Sequence, residues 1–148
     1  MTDGFPLRQV QHVLTVPSRP RFSDITATLA SWLARTRAGD GMLTVFIRHT
    51  SASLTIQENA DPVVLADLHD ALSVLAPEQR AYRHASEGPD DMPAHIKSML
   101  TSTSLQVPVM GGQMTLGTWQ GIYLIEHRAR PRSREIVLHY LGTLCTDR

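Results

Sequence analysis

Seven histidines are spread through 148 residues, and three of them open or close irregular polar stretches instead of sitting within a regular apolar pattern. His49 begins HTSASLTIQENAD, residues 49–61, directly after a compact apolar run. His84 and His95 frame HASEGPDDMPAH, where Glu87, Asp90 and Asp91 lie between two imidazoles. Zinc, manganese and iron take imidazole and carboxylate ligands, and two or three histidines leave an open position for water or substrate. A divalent metal site drawing on His49, His84, His95 and Asp91 is therefore expected. The spacing matches no standard zinc signature such as HExxH. The competing reading of the same residues is a loop closed by local Asx and backbone hydrogen bonds. A metal-free arrangement is also open: imidazoles with Arg48 or Arg83 and Lys97 would hold an anion, and Glu58 or Glu87 would act as general base.

The other four histidines, His12, His69, His127 and His139, fall inside regular strand or helix patterns and read as packed or surface imidazoles. GTWQG, residues 117–121, places Trp119 and Gln120 at a glycine-flanked strand entry, where an indole offers a flat wall for a substrate ring and Gln an adaptable donor and acceptor. A Trp119 that simply fills the core is the alternative. Thr50, Ser51 and Ser53 keep hydroxyls beside His49, but no nucleophile motif of the GxSxG type occurs, nor a phosphate-cradling GxxxxGK[ST] or GxGxxG. The single cysteine, Cys145, has no Cys or His partner at ligand spacing and reads as an incidental thiol.

These residues need elements to position them. Residues 10–16, VQHVLTV, read as a first strand at period two, with Val10, His12, Leu14 and Val16 on one face. Ser23 stands as an N-cap, and Ile25, Leu29, Trp32 and Leu33 recur at helical spacing to about Ala38, with Gly39, Asp40 and Gly41 ending the helix. MLTVFIR, residues 42–48, reads as a buried strand that delivers His49. Asp61 and Pro62 are a cap and first-turn signal for a second helix to about Leu75, with Leu65, Leu68, Leu72 and Leu75 facing the core and Asp67, His69 and Asp70 outward. From Pro77 to Asp91 no periodicity survives, and a structureless stretch of roughly 15 residues in a compact domain is either functional or disordered. Its content favours function. A short third helix follows at about residues 93–100, burying Ile96, Met99 and Leu100. SLQVPVM and QMTLG flank Gly111 and Gly112 as a hairpin. TWQGIYLIEHR alternates Ile122, Leu124 and Glu126 against Tyr123, Ile125 and His127, and REIVLHYLG repeats the pattern after a basic loop at 128–134. Helices in the first half and an antiparallel sheet in the last third make the fold class α+β.

One domain over residues 1–148 fits this length, because two would each be marginal. Fourteen basic residues balance fourteen acidic ones, so no global field draws the chain to nucleic acid or to an anionic membrane. The first residues lack a basic start and an apolar run, and no stretch is long enough to span a bilayer, which makes the cytoplasm the default location.

Three long blocks, HTSASLTIQENAD, YRHASEGPDDMPAHIKSML and LGTWQGIYLIEHR, resemble the signature blocks of the YjbQ family in the expected order over nearly the whole chain. The resemblance implies a mainly antiparallel β-sandwich with about three helices, a homotrimer, and a secondary thiamine-phosphate synthase activity. That activity joins hydroxymethylpyrimidine diphosphate to a thiazole phosphate and releases pyrophosphate. Carried over by motif, it implies His49, Glu58, Asp61, Glu87 and His95 as catalytic residues. His49, His84, Asp91 and His95 are the implied ligands of magnesium or zinc. Trp119, Gln120 and Glu126 are the implied contacts to a small-molecule substrate, and the residues read above add Arg48, Thr50, Ser51 and Lys97 to them. Ser53 departs from the glycine expected there in many relatives. Alongside the transferase stand a metal-dependent hydrolase and a trimeric ligand-binding protein without turnover.

Overall fold

A computed structural model describes Gly4 and residues 6–145. Two antiparallel sheets face each other. The larger runs β1-β8-β3-β5-β6 and the smaller β2-β7-β4. Their strands are β1 (Arg8–Pro17), β2 (Arg21–Asp24), β3 (Ala38–Ile47), β4 (Ala52–Glu58), β5 (Ser104–Met110), β6 (Gln113–Met114), β7 (Gln120–Glu126) and β8 (Ser133–Leu144). Three helices, α1 (Thr26–Thr36), α2 (Pro62–Leu75) and α3 (Asp91–Leu100), complete the α+β sandwich. None of the described helices is long and apolar enough to cross a membrane.

Alternation explains the core. Leu43, Val45 and Ile47 of β3, Ile136, Leu138 and Tyr140 of β8, and Ile122 and Leu124 of β7 point inward, where Leu29, Trp32 and Leu33 of α1 join them in one cluster. α2 and α3 cover the outer side of the small sheet through β4, so β7 is buried on both faces. Among the described residues no helix covers the outer face of the large sheet, where Val13, Met42, Phe46 and Leu141 are exposed.

Several expectations are corrected. Ser23 is not a helix cap. It pairs with Leu124 in β2, and Asp24 Oδ1 accepts from Thr26 N to start α1. α1 ends at Arg37 in the left-handed region (φ 59°), before the glycines. Gly39 and Gly41 instead belong to β3, where the strand crosses β8 so closely that a Cβ on Gly41 would lie 2.4 Å from the Leu141 carbonyl oxygen. Gly111 and Gly112 do turn the β5–β6 hairpin, both with positive φ. α2 starts as expected, with Asp61 Oδ1 accepting from Val63 N and Pro62 in the first turn. Its leucines bury less than expected: Leu65, Leu68 and Leu72 are half-buried and Leu75 is exposed.

The largest inversion is α3. Met99 and Leu100 are exposed, Ile96 is half-buried, and the buried face is Asp91, Pro93, Ala94, Lys97 and Ser98. The helix turns its polar side inward because that side carries the site. Residues 52–58, within the block read as irregular, form β4. Ala52 and Leu54 enter the core, while Ser53 is buried on the other face beneath the helices.

Candidate metal centre

The first positioning element is the corner from β3 to β4, residues 48–51, where the chain passes from the large sheet to the small one. Arg48 N donates to the Glu135 carbonyl and His127 N to the Ser51 carbonyl. Beneath the corner, Arg134 donates to Glu126 through Nε (2.8 Å) and Nη2 (2.5 Å), and through Nη2 also to the carbonyl and hydroxyl oxygens of Ser51. Ser18 Oγ donates to the same carboxylate at 2.5 Å. Burial alone would push the Glu126 carboxyl up, but the bonds from Arg134 and Ser18 outweigh it and hold the group below its ordinary value. The buried pair thus fixes the backbone on which Thr50 sits.

The second element is the start of α3. Arg128 forks onto two consecutive carboxylates: Nε donates to Asp90 Oδ2 at 3.0 Å and Nη1 to Asp91 Oδ1 at 2.8 Å, while Nη2 donates to the Glu87 carbonyl. With Asp91 only 2 % exposed, this clamp leaves Oδ2 free to face two imidazoles. His84 Nε2 lies 2.7 Å from Asp91 Oδ2 and His95 Nε2 lies 3.3 Å from it. The two rings are 5.5 Å apart. Burial raises the Asp91 carboxyl, and His84, His95 and Arg128 together lower it further, so the group stays ionised.

His95 carries the argument toward a cation. Its Nδ1 lies 2.9 Å from the Thr50 carbonyl oxygen, which can only accept, so Nδ1 bears the proton. In the neutral ring Nε2 is then a lone pair aimed at a carboxylate oxygen, two acceptors facing each other. Either a second proton or a metal ion must lie between them. One atom from each of His84, Asp91 and His95 falls within 4.8 Å of the others, which one ion can bridge. Both imidazoles are partly exposed, so an ion held here would be within reach of solvent.

The remaining expected residues do not all converge here. His49 stands outside the triad: its Nε2 accepts from Glu135 N at 2.8 Å, and burial, then Arg134, lower its pKa and keep it neutral. Arg48, which pairs with Glu135, lines an open concavity of about 490 Å³ with His49, Thr50, Ser51 and Arg134. Glu87 is on the loop clamped by Arg128. Glu58 and Asp61 form the entry to α2, Glu58 Oε2 accepting from Asp61 N. Trp119 is 63 % exposed and does not fill the core, and Gln120 Oε1 accepts from Gly117 N. Glu58 pairs with Gln120 where Ala52 pairs with Glu126, so these four residues sit at the far end of the small sheet. That is roughly 20 Å along β4 from the triad. Lys97 points to the opposite side of α3 and lines a different cavity. His127 is the packed imidazole expected: Ser53 Oγ lies 2.8 Å from its Nε2, and burial pushes its pKa down to about 4.

Arg128, Asp90 and Arg134 were not among the expected site residues. A signal for one of them exists: Arg134 shares the period of Ile136 and Leu138, and Glu126 that of Ile122 and Leu124. A basic and an acidic residue on core-facing registers require each other.

The UPF0047 protein YjbQ-like family model matches residues 11–143. The UPF0047 protein sll1880 of Synechocystis is 47 % identical over 137 residues, 91 % of this chain and 93 % of that one. UPF0047 protein YjbQ of Salmonella typhimurium is 43 % identical, covering 89 % and 97 % of the two chains. A crystal structure of a YjbQ/UPF0047 family protein from Clostridium acetobutylicum superposes with a TM-score of 0.75 at 38 % identity, over 86 % of this chain and 97 % of that one. A YbjQ-like protein of Sulfolobus solfataricus shares the fold at a TM-score of 0.85 with 20 % identity, over 93 % and 99 %. With sequence and fold matched over nearly their full length, the chain belongs to the YjbQ family, UPF0047.

Proposed function

We propose that this chain is a metal-dependent hydrolase whose cation is held by His84 Nε2, Asp91 Oδ2 and His95 Nε2. The observation that carries the reading is the Nδ1 proton of His95 on the Thr50 carbonyl, which in the neutral ring turns the Nε2 lone pair toward Asp91 Oδ2, the place a cation would fill. Two imidazoles and one carboxylate suit zinc, manganese or iron better than magnesium, which favours an all-oxygen shell. When bound, such an ion supplies Lewis-acid polarisation of a substrate oxygen and acidification of water. The chain's own residues do the rest. Arg128 fixes the carboxylate that must not rotate, Thr50 fixes the His95 ring, and Glu87, whose side chain bonds to Asp91, is the general base.

Protein purified without chelator is expected to hold about one transition metal per chain, with the ion lost in His84→Ala and His95→Ala. Elemental analysis decides this, and metal-free wild type would overturn the reading. Turnover is read on p-nitrophenyl phosphate, its bis ester and p-nitrophenyl acetate, with and without chelator.

One observation favours the transferase as a second reading. The triad is flanked by two concavities, one lined by Arg130 and Arg132 beside the ion-paired Arg128 and the other by Arg48 beside the ion-paired Arg134, guanidiniums that phosphorylated partners would meet. Its test is thiamine phosphate formation from the two precursors, abolished in His95→Ala.

The homotrimer is proposed on the uncovered face of the large sheet. Val13, Val137 and Phe46 are register partners across β1, β8 and β3, and Leu141 and Met42 pair beyond them; all except the half-buried Val137 are exposed. An apolar patch of this kind marks an interface. Phe46→Asp is expected to shift the protein from three chains to one in sedimentation, whereas a wild type that sediments as a monomer would refute the assembly.

A further inference from the structure

Two basic side chains other than histidine are buried among the described residues, Arg134 and Lys97. Arg134 has Glu126. The Lys97 ammonium, on a residue 8 % exposed, makes no hydrogen bond or ion pair with any described residue and feels only the more distant charges of Glu78 and Asp90. Burying a cation without an acceptor is costly, and a chain that does so keeps the position for something outside itself. Lys97 lines a cavity of about 200 Å³ between α2, α3, the start of β2 and the outer face of β7. Arg21 and His69 line it too, and neither side chain has a bonded partner. Arg21 reaches this place from a left-handed backbone conformation, φ 79°, a strain that persists only where the surrounding structure enforces it. Of the acids nearby, Glu126 is taken by Arg134 and Asp90 by Arg128, which leaves the exposed Glu78 at the mouth, beyond ion-pair distance from Lys97. Lys97, Arg21 and His69, none with a bonded side-chain partner, thus line the cavity together with Glu78 and the ion-paired Glu126, while Asp70 and the ion-paired Asp90 act on them from nearby. Phe22 and Ile125 supply apolar wall.

We infer that this cavity is a binding site for a small oxyanion, phosphate or a phosphate monoester, with Lys97 as its central cation and Arg21 and His69 as further donors. Its volume is that of about seven waters, ample for a phosphoryl group. The site lies on the other side of α3 from His84, Asp91 and His95 and does not rest on the function proposed for them. Calorimetric titration of the full chain, stripped of metal by chelator, tests it with inorganic phosphate, glycerol phosphate and acetate at matched ionic strength. Phosphate or the monoester is expected to bind saturably at one per chain and more tightly than acetate. Lys97→Met and Arg21→Ala should each weaken binding about tenfold, the loss of one charged hydrogen bond, and Glu78→Gln should tighten it. His95→Ala should leave it unchanged. Without ligand, Lys97→Met should melt at or above the wild-type temperature, because an uncompensated charge has been removed. The inference is overturned by the absence of saturable binding, by Lys97→Met and Arg21→Ala binding as wild type, or by acetate binding equally well. Binding lost in His95→Ala and kept in Lys97→Met would move the anion to the metal centre.

Discussion

Arg134→Met is expected to destabilise the fold by about 3–5 kcal/mol, the cost of leaving one member of a buried ion pair without its partner. The abandoned group is Glu126, 3 % exposed, which keeps Ser18 as a donor but loses both bonds from the guanidinium. Ser51 loses its two bonds from Arg134 as well, so the corner carrying Thr50 loosens with it. Urea denaturation of the variant measures the loss. Replacing both residues, Glu126→Leu with Arg134→Met, should recover much of it, since an apolar pair of similar volume has no charge to desolvate. A double variant as unstable as the single one would place the effect elsewhere. Acid gives a second handle. The Glu126 carboxyl titrates below its ordinary 4.5 in the folded chain. Its contribution to stability is therefore complete above that unfolded value and is lost as pH falls through the lower, folded one. The stability gap between wild type and Arg134→Met should accordingly narrow below pH 4.5.

Asp91→Ala should abolish stoichiometric metal and lower metal affinity by at least about 100-fold, because removal of a mere supporting residue already costs about 10–100-fold. Arg128→Ala samples that smaller range: Asp91 remains, but the donor that aims its carboxylate is gone. Equilibrium dialysis against zinc ranks the two. The fold should survive Asp91→Ala, since Arg128 keeps Asp90 through Nε at 3.0 Å and α3 keeps Ser98 bonded to the Ala52 carbonyl. Wild-type affinity in the folded variant would remove Asp91 from the ligand set. Hydrolysis, if it depends on this ion, should fall in the same order.

The sandwich and its helices follow from periodicity wherever an element has one apolar and one polar side. β8 and β5 are of this kind, and their boundaries in the sequence lie close to those in the fold, while β3 begins four residues earlier than its apolar run, at Ala38, and β6 is only Gln113–Met114. β4 and α3 are not. β4 has no solvent side, since Ser53 faces Thr101 and His127 beneath the helices, so its polar residues imitate a loop. α3 reverses the rule outright: Lys97 and Asp91 go inside and Met99 goes outside. Hydrophobic patterning assumes that water is what polar groups seek, whereas here Asp91 turns to Arg128 and two imidazoles and Lys97 turns to a cavity. The same reason limits the site reading. His84, Asp91 and His95 stand in one irregular block and converge as expected. Glu58, Asp61, Trp119 and Gln120 stand in equally distinctive blocks, yet strand direction carries them to the other end of β4 and β7. Spacing along a chain cannot give that direction until the pairing is known.

The bond from His95 to the Thr50 carbonyl joins residues far apart in sequence, as does the clamp from Arg128 to Asp91. Neither can form before its segments are brought together by the fold, because residue 50 lies where the two sheets join and residue 128 follows β7 of the small sheet. A peptide carrying residues 84–95 alone would present the ligands without their orientation. The centre is thus a late product of folding, and an ion that binds it binds only the finished chain. Such an ion adds to global stability by mass action, about 2.7 kcal/mol at a hundred times its dissociation constant. Occupancy would then report on how much of the protein is folded, and metal supply would set how long it stays so.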